Sequence, residues 1–273
     1  MSLFICPICG GSLSSDGQKY VCAAGHCYDI ASEGYVNLLP ANKKHSKNPG
    51  DDKNMVRARN RFLSGGLYEP LRNALIGLLS SLSSKNAAIL DSGCGEGYYT
   101  EGIFEKLTKE GKTPLLAGVD ISREAVRLAA KRVRDAEFAV ASAYHLPVSD
   151  ESADLLLNCF SPLCEEEFRR VLRKDGYFIY VVPAPRHLWE LKCALYDKPY
   201  ENERISMDYE GFSLEQKETV ESRILINDNQ SISDLFTMTP YFWKTPREGI
   251  ARMEELEKLE TEISFDILVY RKI

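Results

Sequence analysis

Short apolar segments alternate with longer amphipathic ones between Ala87 and Val182, and this alternation restricts the fold more than any other feature of the sequence. Apolar runs of about four to eight residues are typical of buried strands, and the segments between them have the residue spacing of helices. We predict strands at residues 87–91, 115–120, 137–141, 153–158 and 176–182, and helices at 98–109, 123–133 and 165–173. Because such strands form a parallel sheet with helices on both faces, the sequence predicts an α/β fold.

Further elements are predicted on both sides of this alternating region. Two helices, at residues 52–64 and 68–82, precede it, and the second has leucines at helical spacing. Two strands, at residues 223–226 and 263–270, follow it. We expect these two strands to form an antiparallel pair at the edge of the sheet.

The first 40 residues are rich in turns and too few to form a core, so this segment needs another source of stability. It contains the pattern Cys6-x2-Cys9-x12-Cys22-x3-His26. Two such pairs supply the thiolate and imidazole ligands of a tetrahedral zinc ion, and a site with four protein ligands is structural rather than catalytic. Cys27 is a rival for His26 as the fourth ligand. The alternative to a zinc site is a set of free cysteines in a small subdomain.

A glycine-rich turn, Asp91-Ser92-Gly93-Cys94-Gly95-Glu96-Gly97, joins the first predicted strand of the sheet to its helix. Glycines allow a ligand to approach the backbone, and the free N–H groups of a helix N-terminus face that ligand. A nicotinamide-binding turn requires a glycine where this sequence has Tyr98. Asp91 suits the cationic end of a cofactor, and Asp120, which ends the second strand, suits ribose hydroxyls. The alternative is a glycine-rich turn without a ligand.

The formal net charge of -6 argues against nucleic-acid binding, but the charge is unevenly distributed. Residues 41–72 contain eight Lys and Arg against three acids, whereas residues 201–266 contain seven against sixteen. The first segment predicts a phosphate-binding surface, with a solvated helix face as the alternative. The N-terminus has neither a basic start nor a long apolar run, and no stretch is long enough to span a membrane. We therefore expect a cytoplasmic protein, whose remaining cysteines are buried thiols or bystanders.

Residues 87–183 resemble the class I S-adenosylmethionine-dependent methyltransferases in the segments DSGCGEGYYT, GVDIS, LPVSDESADLL and GYFIYVVP. The resemblance implies a Rossmann-like methyltransferase sheet, with the small zinc-binding module preceding it. It implies that the methionine part of the cofactor lies beside the turn, that Asp120 holds the ribose, and that Ser142 and Ala143 lie near the adenine. Many relatives have an acid where this chain has Ser142. The turn residues expected to contact the cofactor are Asp91, Gly93, Gly95, Glu96, Gly97 and Tyr98.

Nearly the whole chain is similar to the bacterial 23S rRNA (guanine-N1) methyltransferases, some of which influence sensitivity to macrolide antibiotics. The similarity lies in the zinc pattern and its continuation GHCYDIASEGYVNLLP, and in KNPGDD, RARNRFLSGGLYEPLR and PAPRHLWELK. It implies zinc ligands at Cys6, Cys9, Cys22 and His26. It also implies cofactor contacts from Tyr68 and His187, for which the alternatives are a core aromatic and a helix cap.

These resemblances imply methyl transfer from S-adenosylmethionine to N1 of a guanine in a hairpin of 23S rRNA. We expect a zinc-binding RNA-recognition module at residues 1–40, a basic linker with helices at 41–84 and the methyltransferase domain at 85–273; a homodimer is compatible with this organisation. The basic residues expected to line the cleft between module and domain are Lys43, Lys44, Lys47, Lys53, Arg57, Arg59 and Arg61. The rival functions are a small-molecule methyltransferase, which leaves the zinc pattern unused, and a non-catalytic RNA-binding adaptor.

The catalytic base is not identified by the sequence. Guanine N1 must lose a proton, and His145, Asp154 and Glu165 are candidate acceptors because they are near predicted strand ends, with water as the alternative. Residues 158–162, after the fourth strand, occupy the position where base-directed methyltransferases form the target pocket. Phe160 is expected to stack on the target base.

Overall fold

The computed structural model describes residues 2–40 and 49–273. In that part of the chain the strands are β1 (Leu13–Ser15), β2 (Lys19–Cys22), β3 (Cys27–Asp29), β4 (Tyr35–Asn37), β5 (Ala88–Ser92), β6 (Leu115–Asp120), β7 (Glu137–Val140), β8 (Ala153–Cys159), β9 (Leu172–Pro183), β10 (Phe212–Ile226) and β11 (Leu259–Lys272). The helices are α1 (Lys53–Ser64), α2 (Glu69–Leu82), α3 (Tyr98–Lys109), α4 (Arg123–Arg132), α5 (Glu165–Val171), α6 (Trp189–Leu195), α7 (Asn229–Thr237) and α8 (Arg247–Glu254), with a 3-10 helix at Pro240–Trp243.

The main sheet has eight strands in the order β10-β11-β9-β8-β5-β6-β7-β4. The six strands from β9 to β4 are parallel, and β11 and β10 extend the sheet in antiparallel pairing. The central strands are buried because they consist mostly of Leu, Ile, Val and Ala, which pack against helices on both faces. The predicted α/β fold and its antiparallel edge pair are confirmed.

The predicted bounds were wrong for one helix and three strands, and the strand predicted at 176–182 begins at Leu172. The helix predicted at 165–173 ends at Val171, because Leu172 already pairs with Ala153 of β8. Strands β10 and β11 contain 15 and 14 residues, far more than predicted. The first half of β10 was missed because this edge strand has exposed, charged side chains and so lacks an apolar run.

The N-terminal strands form two structures rather than one. Strands β1, β2 and β3 make a small antiparallel sheet, whereas β4 joins the main sheet as its parallel edge strand. The small sheet packs on the main domain, since Ile5 N–H donates to Pro147 O (2.8 Å) and Phe4 bridges to Val148. Their apolar side chains belong to one core cluster. The segment therefore relies on the main domain for its core; the division at residue 40 remains a prediction.

All six parallel strands end at one edge of the sheet, which we call the carboxyl edge. The β10–β11 hairpin extends beyond it, because Phe265 pairs with Pro183, the last residue of β9, and β11 begins at Leu259. At about 3.3 Å per residue, this extension is roughly 20 Å. The hairpin connection, residues 227–258, contains α7, the 3-10 helix and α8 and is called the C-terminal lobe. In the described ranges, no helix is both long and apolar enough to cross a membrane.

Candidate functional site

The glycine turn at the carboxyl edge has three glycines with left-handed backbone, at φ +83° for Gly93, +56° for Gly95 and +84° for Gly97. A Cβ at Gly93 would lie 2.3 Å from the Ser161 side chain, and one at Gly97 would lie 3.0 Å from the Ala129 backbone. A Cβ at Gly95 would meet nothing within 4 Å. The outer two glycines thus permit close packing, whereas Gly95 faces open space that a ligand can enter.

Two carboxylates, the buried Asp91 and the half-buried Asp120, lie beside this turn. Asp120 accepts hydrogen bonds from Gly95 N–H (3.1 Å) and Ser122 N–H (2.8 Å), and burial raises its pKa. Asp91 accepts from the Thr100 hydroxyl (2.6 Å), and burial raises the pKa of Asp91 to about 7. Acids beside an open glycine turn can accept hydrogen bonds from hydroxyl and ammonium donors of a ligand.

Several buried acceptors around the turn have no hydrogen-bond partner in the described part of the chain. They include Ser92 Oγ, Glu96 Oε1 and Asn158 Oδ1. An unpaired buried polar atom costs about 1–3 kcal/mol, which a bound ligand with matching donors would recover. S-adenosylmethionine has an ammonium group, ribose hydroxyls and an adenine amino group as donors, and these fit the acceptors at Ser92 and Glu96.

Arg59 is a site residue that sequence reasoning placed incorrectly, on a phosphate-binding surface. It forms an ion pair with Asp51, and its Nη2 donates to Met238 O (3.2 Å) in the C-terminal lobe. Burial opposes its charge, but the carboxylates of Asp51, Glu96 and Asp120 raise its pKa. The guanidinium therefore balances acids at the cofactor turn instead of facing solvent. Asp51, eight residues earlier in the segment KNPGDD, is the sequence feature that could have indicated an ion pair for Arg59.

The segment before α1 is fixed against the end of β6. The Ser122 hydroxyl donates to Asp51 O (2.9 Å), and a Cβ at Gly50 would lie 2.7 Å from the Ile121 side chain. Gly50 also has φ +79°, which favours glycine. Asp52 begins α1 by accepting from two backbone N–H groups. This packing brings Arg59 to the turn.

The other described basic residues of the linker are mostly paired with acids. Arg61 makes two hydrogen bonds to Asp234 (2.8 and 2.6 Å), and Arg72 pairs with Glu101 (3.0 Å). Arg57 lies 3.9 Å from Glu124. The local excess of positive charge is thus partly neutralised by distant acids, contrary to the expected phosphate-binding surface. Lys43, Lys44 and Lys47 lie outside the described residues.

Tyr68 and His187 are brought together and buried. Tyr68 Oη lies 3.2 Å from His187 Nε2, and Ser264 N–H donates to His187 Nδ1 (3.2 Å). Burial lowers the pKa of His187 to about 3, so the ring is neutral and Nε2 donates to Tyr68. His187 does not cap α6, whose N-cap residue is Leu188. Tyr68 packs in the core cluster, which is the alternative role given for it. Contact of Tyr68 and His187 with the cofactor remains a prediction.

Phe160 follows β8 at the carboxyl edge in a strained conformation, with φ +55°. Its ring is 44% exposed and lies 5.5 Å from the ring of Phe265, which contacts Tyr68 and His187. Leu188, beside His187, is also left-handed, at φ +57°. A bulky residue held in this conformation next to an open turn is typical of a functional site.

The remaining predicted site residues lie in different environments. Ser142 and Ala143 are half-buried directly after β7, beside the strand that ends at Asp120. Tyr98 is buried at the start of α3, with the Arg72 guanidinium 4.8 Å from its ring centre.

Asp154 was wrongly proposed as a base, because it lies at the beginning of β8, about 16 Å along the strand from the carboxyl edge. It accepts from Ala88 N–H (2.6 Å) and pairs with Arg173. His145 is exposed in the turn after β7, and Glu165 accepts from Glu210 N–H (2.6 Å). The base therefore remains unidentified.

The four predicted zinc ligands form one cluster, with all ligand atoms within 4.8 Å of one another. Cys9 Sγ lies 3.6 Å from Cys22 Sγ, and His26 Nδ1 lies 3.3 Å from Cys22 Sγ and 3.5 Å from Cys6 Sγ. A tetrahedral ion with bonds of about 2.3 Å places two sulfurs about 3.8 Å apart. The cluster thus has the dimensions and the soft donors of a zinc site.

Two neighbours of the cluster bear on its chemistry. Cys27 lies outside the group and is exposed, which favours His26 as the fourth ligand. Burial opposes ionisation of Cys6, but hydrogen bonds from the Tyr28 hydroxyl (3.0 Å) and nearby backbone lower the pKa of this thiol to about 6. A thiolate is the form that binds zinc.

Two family models match this chain: a zinc ribbon described as RlmA, N-terminal, at residues 4–47, and a methyltransferase domain at residues 83–232. The chain is 32% identical to the 23S rRNA (guanine(748)-N(1))-methyltransferase of Streptomyces fradiae, over 98% of this chain and 96% of that one. It is equally similar to YxjB of Bacillus subtilis, which has a provisional name of the same class, over 99% of this chain and 98% of YxjB.

A solved structure from Anaeromyxobacter dehalogenans, provisionally described as a type II methyltransferase, matches 73% of this chain and 94% of its own, with a TM-score of 0.51 and 19% identity. At that identity the match shows a shared methyltransferase fold only.

Proposed function

The chain belongs to the family of 23S rRNA (guanine-N1)-methyltransferases, and from this membership we propose that it transfers a methyl group from S-adenosylmethionine to N1 of a guanine in a 23S rRNA hairpin. The observation that carries the proposal is that one chain combines the open, acid-lined glycine turn with the four-ligand zinc cluster. A small-molecule methyltransferase requires the first feature alone.

We propose that the cofactor lies against Gly95, between the acids of the turn. Asp120 would accept from the ribose hydroxyls, and the N–H groups of Gly95 and Ser122 would hold its carboxylate in place. Asp91 and the unpaired Glu96 Oε1 would face the ammonium group, and Ser142 and Ala143 the adenine. When bound, S-adenosylmethionine supplies a methyl group that is electrophilic because it is attached to a positive sulfur. The chain's contribution is mainly to position the two reactants.

The target guanine would enter at the end of β8. Phe160 is 44% exposed and offers a ring on which a base can stack. The buried Asn158 Oδ1, two residues earlier, has no partner among the described residues and would accept from a donor on the guanine edge. His187 is unsuited to take up the N1 proton, because its Nδ1 is already hydrogen-bonded and its pKa is far below neutral. We propose that this proton leaves to water.

The zinc ribbon would contribute to RNA recognition rather than to methyl transfer. Its four ligands leave no open coordination position. It contacts Pro147 and Val148, a few residues after Ser142 and Ala143, and we propose that RNA bound to it extends from there to the carboxyl edge. Residence in the cytoplasm and formation of a homodimer remain predictions.

Transfer of isotopically labelled methyl from S-adenosylmethionine tests the proposal. We expect label to enter protein-free 23S rRNA and not the small molecules of a cell extract. Asp120→Ala should abolish most of this transfer, while Asp150→Ala, an exposed acid of the same type, should not. Label in small molecules alone would contradict the proposed substrate.

A further inference from the structure

The C-terminal lobe carries an exposed aromatic pair that the proposed site does not use. The side chain of Trp243 is 67% exposed and that of Phe242 is 36% exposed, and their ring centres lie 5.0 Å apart at near right angles. Both belong to the short 3-10 helix between α7 and α8. Large rings exposed together, in a chain that buries most of its aromatic residues, need a reason.

This pair lies on the carboxyl-edge side of the molecule. The β10–β11 hairpin carries the lobe beyond that edge, and Arg59 of α1, beside the cofactor turn, donates to Met238 O, five residues before Trp243. Tyr241, between them, is buried in the same core cluster as Tyr68. Two contacts thus connect the aromatic pair to the site: the hydrogen bond from Arg59 to Met238 and the packing of Tyr241 in the core.

Two basic side chains lie close to the pair in the sequence, and the next acid along the chain is the exposed Glu248. Lys244 and Arg247 follow directly, both are exposed, and neither forms an ion pair with any residue that the structure describes. They differ in this from Arg61 and Arg72 of the linker, whose charges are matched by acids. Exposed aromatic rings with cations beside them can bind single-stranded nucleic acid, because the bases stack on the rings and the cations contact the phosphates.

We propose that Trp243 and Phe242 form a platform on which an unpaired nucleotide of the substrate RNA stacks, with Lys244 and Arg247 contacting its phosphates. This inference rests on the proposed function and extends it to a second RNA contact. A second copy of the chain is a poorer occupant. A stable dimer buries about 1,200 Å² or more with an apolar centre, whereas this patch is two rings surrounded by charged and polar side chains.

The platform can be observed directly because the chain has only two tryptophans. Trp189 is half-buried, with the Arg186 guanidinium 4.6 Å from its ring centre. In Trp189→Phe, all tryptophan emission comes from Trp243. We expect protein-free 23S rRNA to quench this emission and to protect it from acrylamide.

Affinity for protein-free 23S rRNA, measured by filter binding, gives the second readout. Trp243→Ala should weaken binding about 5- to 100-fold, and Trp243→Phe should retain most of the affinity, because base stacking needs an aromatic face. Affinity for S-adenosylmethionine should stay at the wild-type value in both. The matched control is Leu214→Ala, an exposed apolar residue (38%) on β10 near the opposite edge of the sheet, which should not affect RNA binding.

The outcomes separate the platform from the proposed function. If Trp243→Ala binds rRNA as tightly as wild type while both methylate it, the platform is wrong and the proposed function stands. If the wild-type protein neither binds nor methylates rRNA, both fail. If Trp243 emission is shielded from acrylamide without RNA, and sedimentation shows a dimer that Trp243→Ala abolishes, the surface is a contact between copies and the platform is wrong.

Discussion

The zinc ribbon and the C-terminal lobe both pack on the α/β domain, but different interactions stabilise them. The ribbon consists of three-residue and four-residue strands around four ligand atoms, and its apolar residues need the main domain for a core. The lobe is held by fully buried side chains such as Ile232 and Leu235 and by the Arg61–Asp234 pair. A region stabilised by ligands is identifiable from residue spacing, and one stabilised by tertiary packing is not.

The largest expected effect comes from removing the metal. Cys9→Ser should leave three ligands and lower zinc content well below about one ion per chain, because structural zinc contributes roughly 10 kcal/mol or more to the folding of such modules. Hydrogen exchange should then accelerate in residues 2–30 and stay slow in the lobe. Cofactor affinity should persist. Cys27→Ser is the matched control, and equal zinc loss in it would make Cys27 a ligand.

The lobe should respond to loss of packing instead. Leu235→Ala removes a fully buried side chain from α7 and should lower the free energy of unfolding by about 2–5 kcal/mol, with zinc content unchanged. Urea denaturation measures this change. An unfolding free energy like that of wild type would mean that the lobe is not part of the cooperative core.

The glycine turn at residues 91–97 should determine the affinity for the cofactor. Asp120→Ala should weaken binding of S-adenosylmethionine by about 1–3 kcal/mol, because the buried hydroxyls lose their acceptor. Calorimetry measures this affinity, with Asp150→Ala as the exposed control. Gly95→Val should abolish binding, since its side chain would fill the open space and the residue would need φ +56°. Tight binding to Gly95→Val would move the cofactor away from the turn.

A smaller effect should come from pH. The pKa of Asp91 is raised to about 7, so its charge is lost as the pH falls through neutrality. The attraction for the cofactor's ammonium group is then lost too, and affinity should decline as the pH is lowered from 8 to about 6. Asp91→Asn should bind more weakly at pH 8 and lose this dependence. An identical pH profile in Asp91→Asn would remove Asp91 from the interaction.

The parts of the fold that were predicted from the sequence depend on local patterns. Helix α3 and strand β6 have the predicted bounds, because buried parallel strands are short apolar runs and their helices are amphipathic. The zinc ligands were predicted from spacing, and the structure brings them together.

The rest depends on contacts between distant residues. Arg61 and Asp234 are 173 positions apart, so their pairing cannot be read from the local charge of the linker. Asp154 was proposed as a base because it lies near the end of a predicted strand. It lies at the amino end of β8, however, whereas the site is at the carboxyl end. Most of β10 was not predicted because its side chains are exposed and charged, and the lobe that this strand supports was missed with it.

Analysis of 23S rRNA from cells with and without the gene tests the central claim most directly. A methyl group on guanine N1 blocks base pairing, so reverse transcription should stop at one guanine in wild-type rRNA and pass it in the deletion strain. The nucleosides should lose 1-methylguanosine in the deletion strain and regain it with the wild-type gene but not with Asp120→Ala. An unchanged level of 1-methylguanosine and an unchanged pattern of stops would contradict the account.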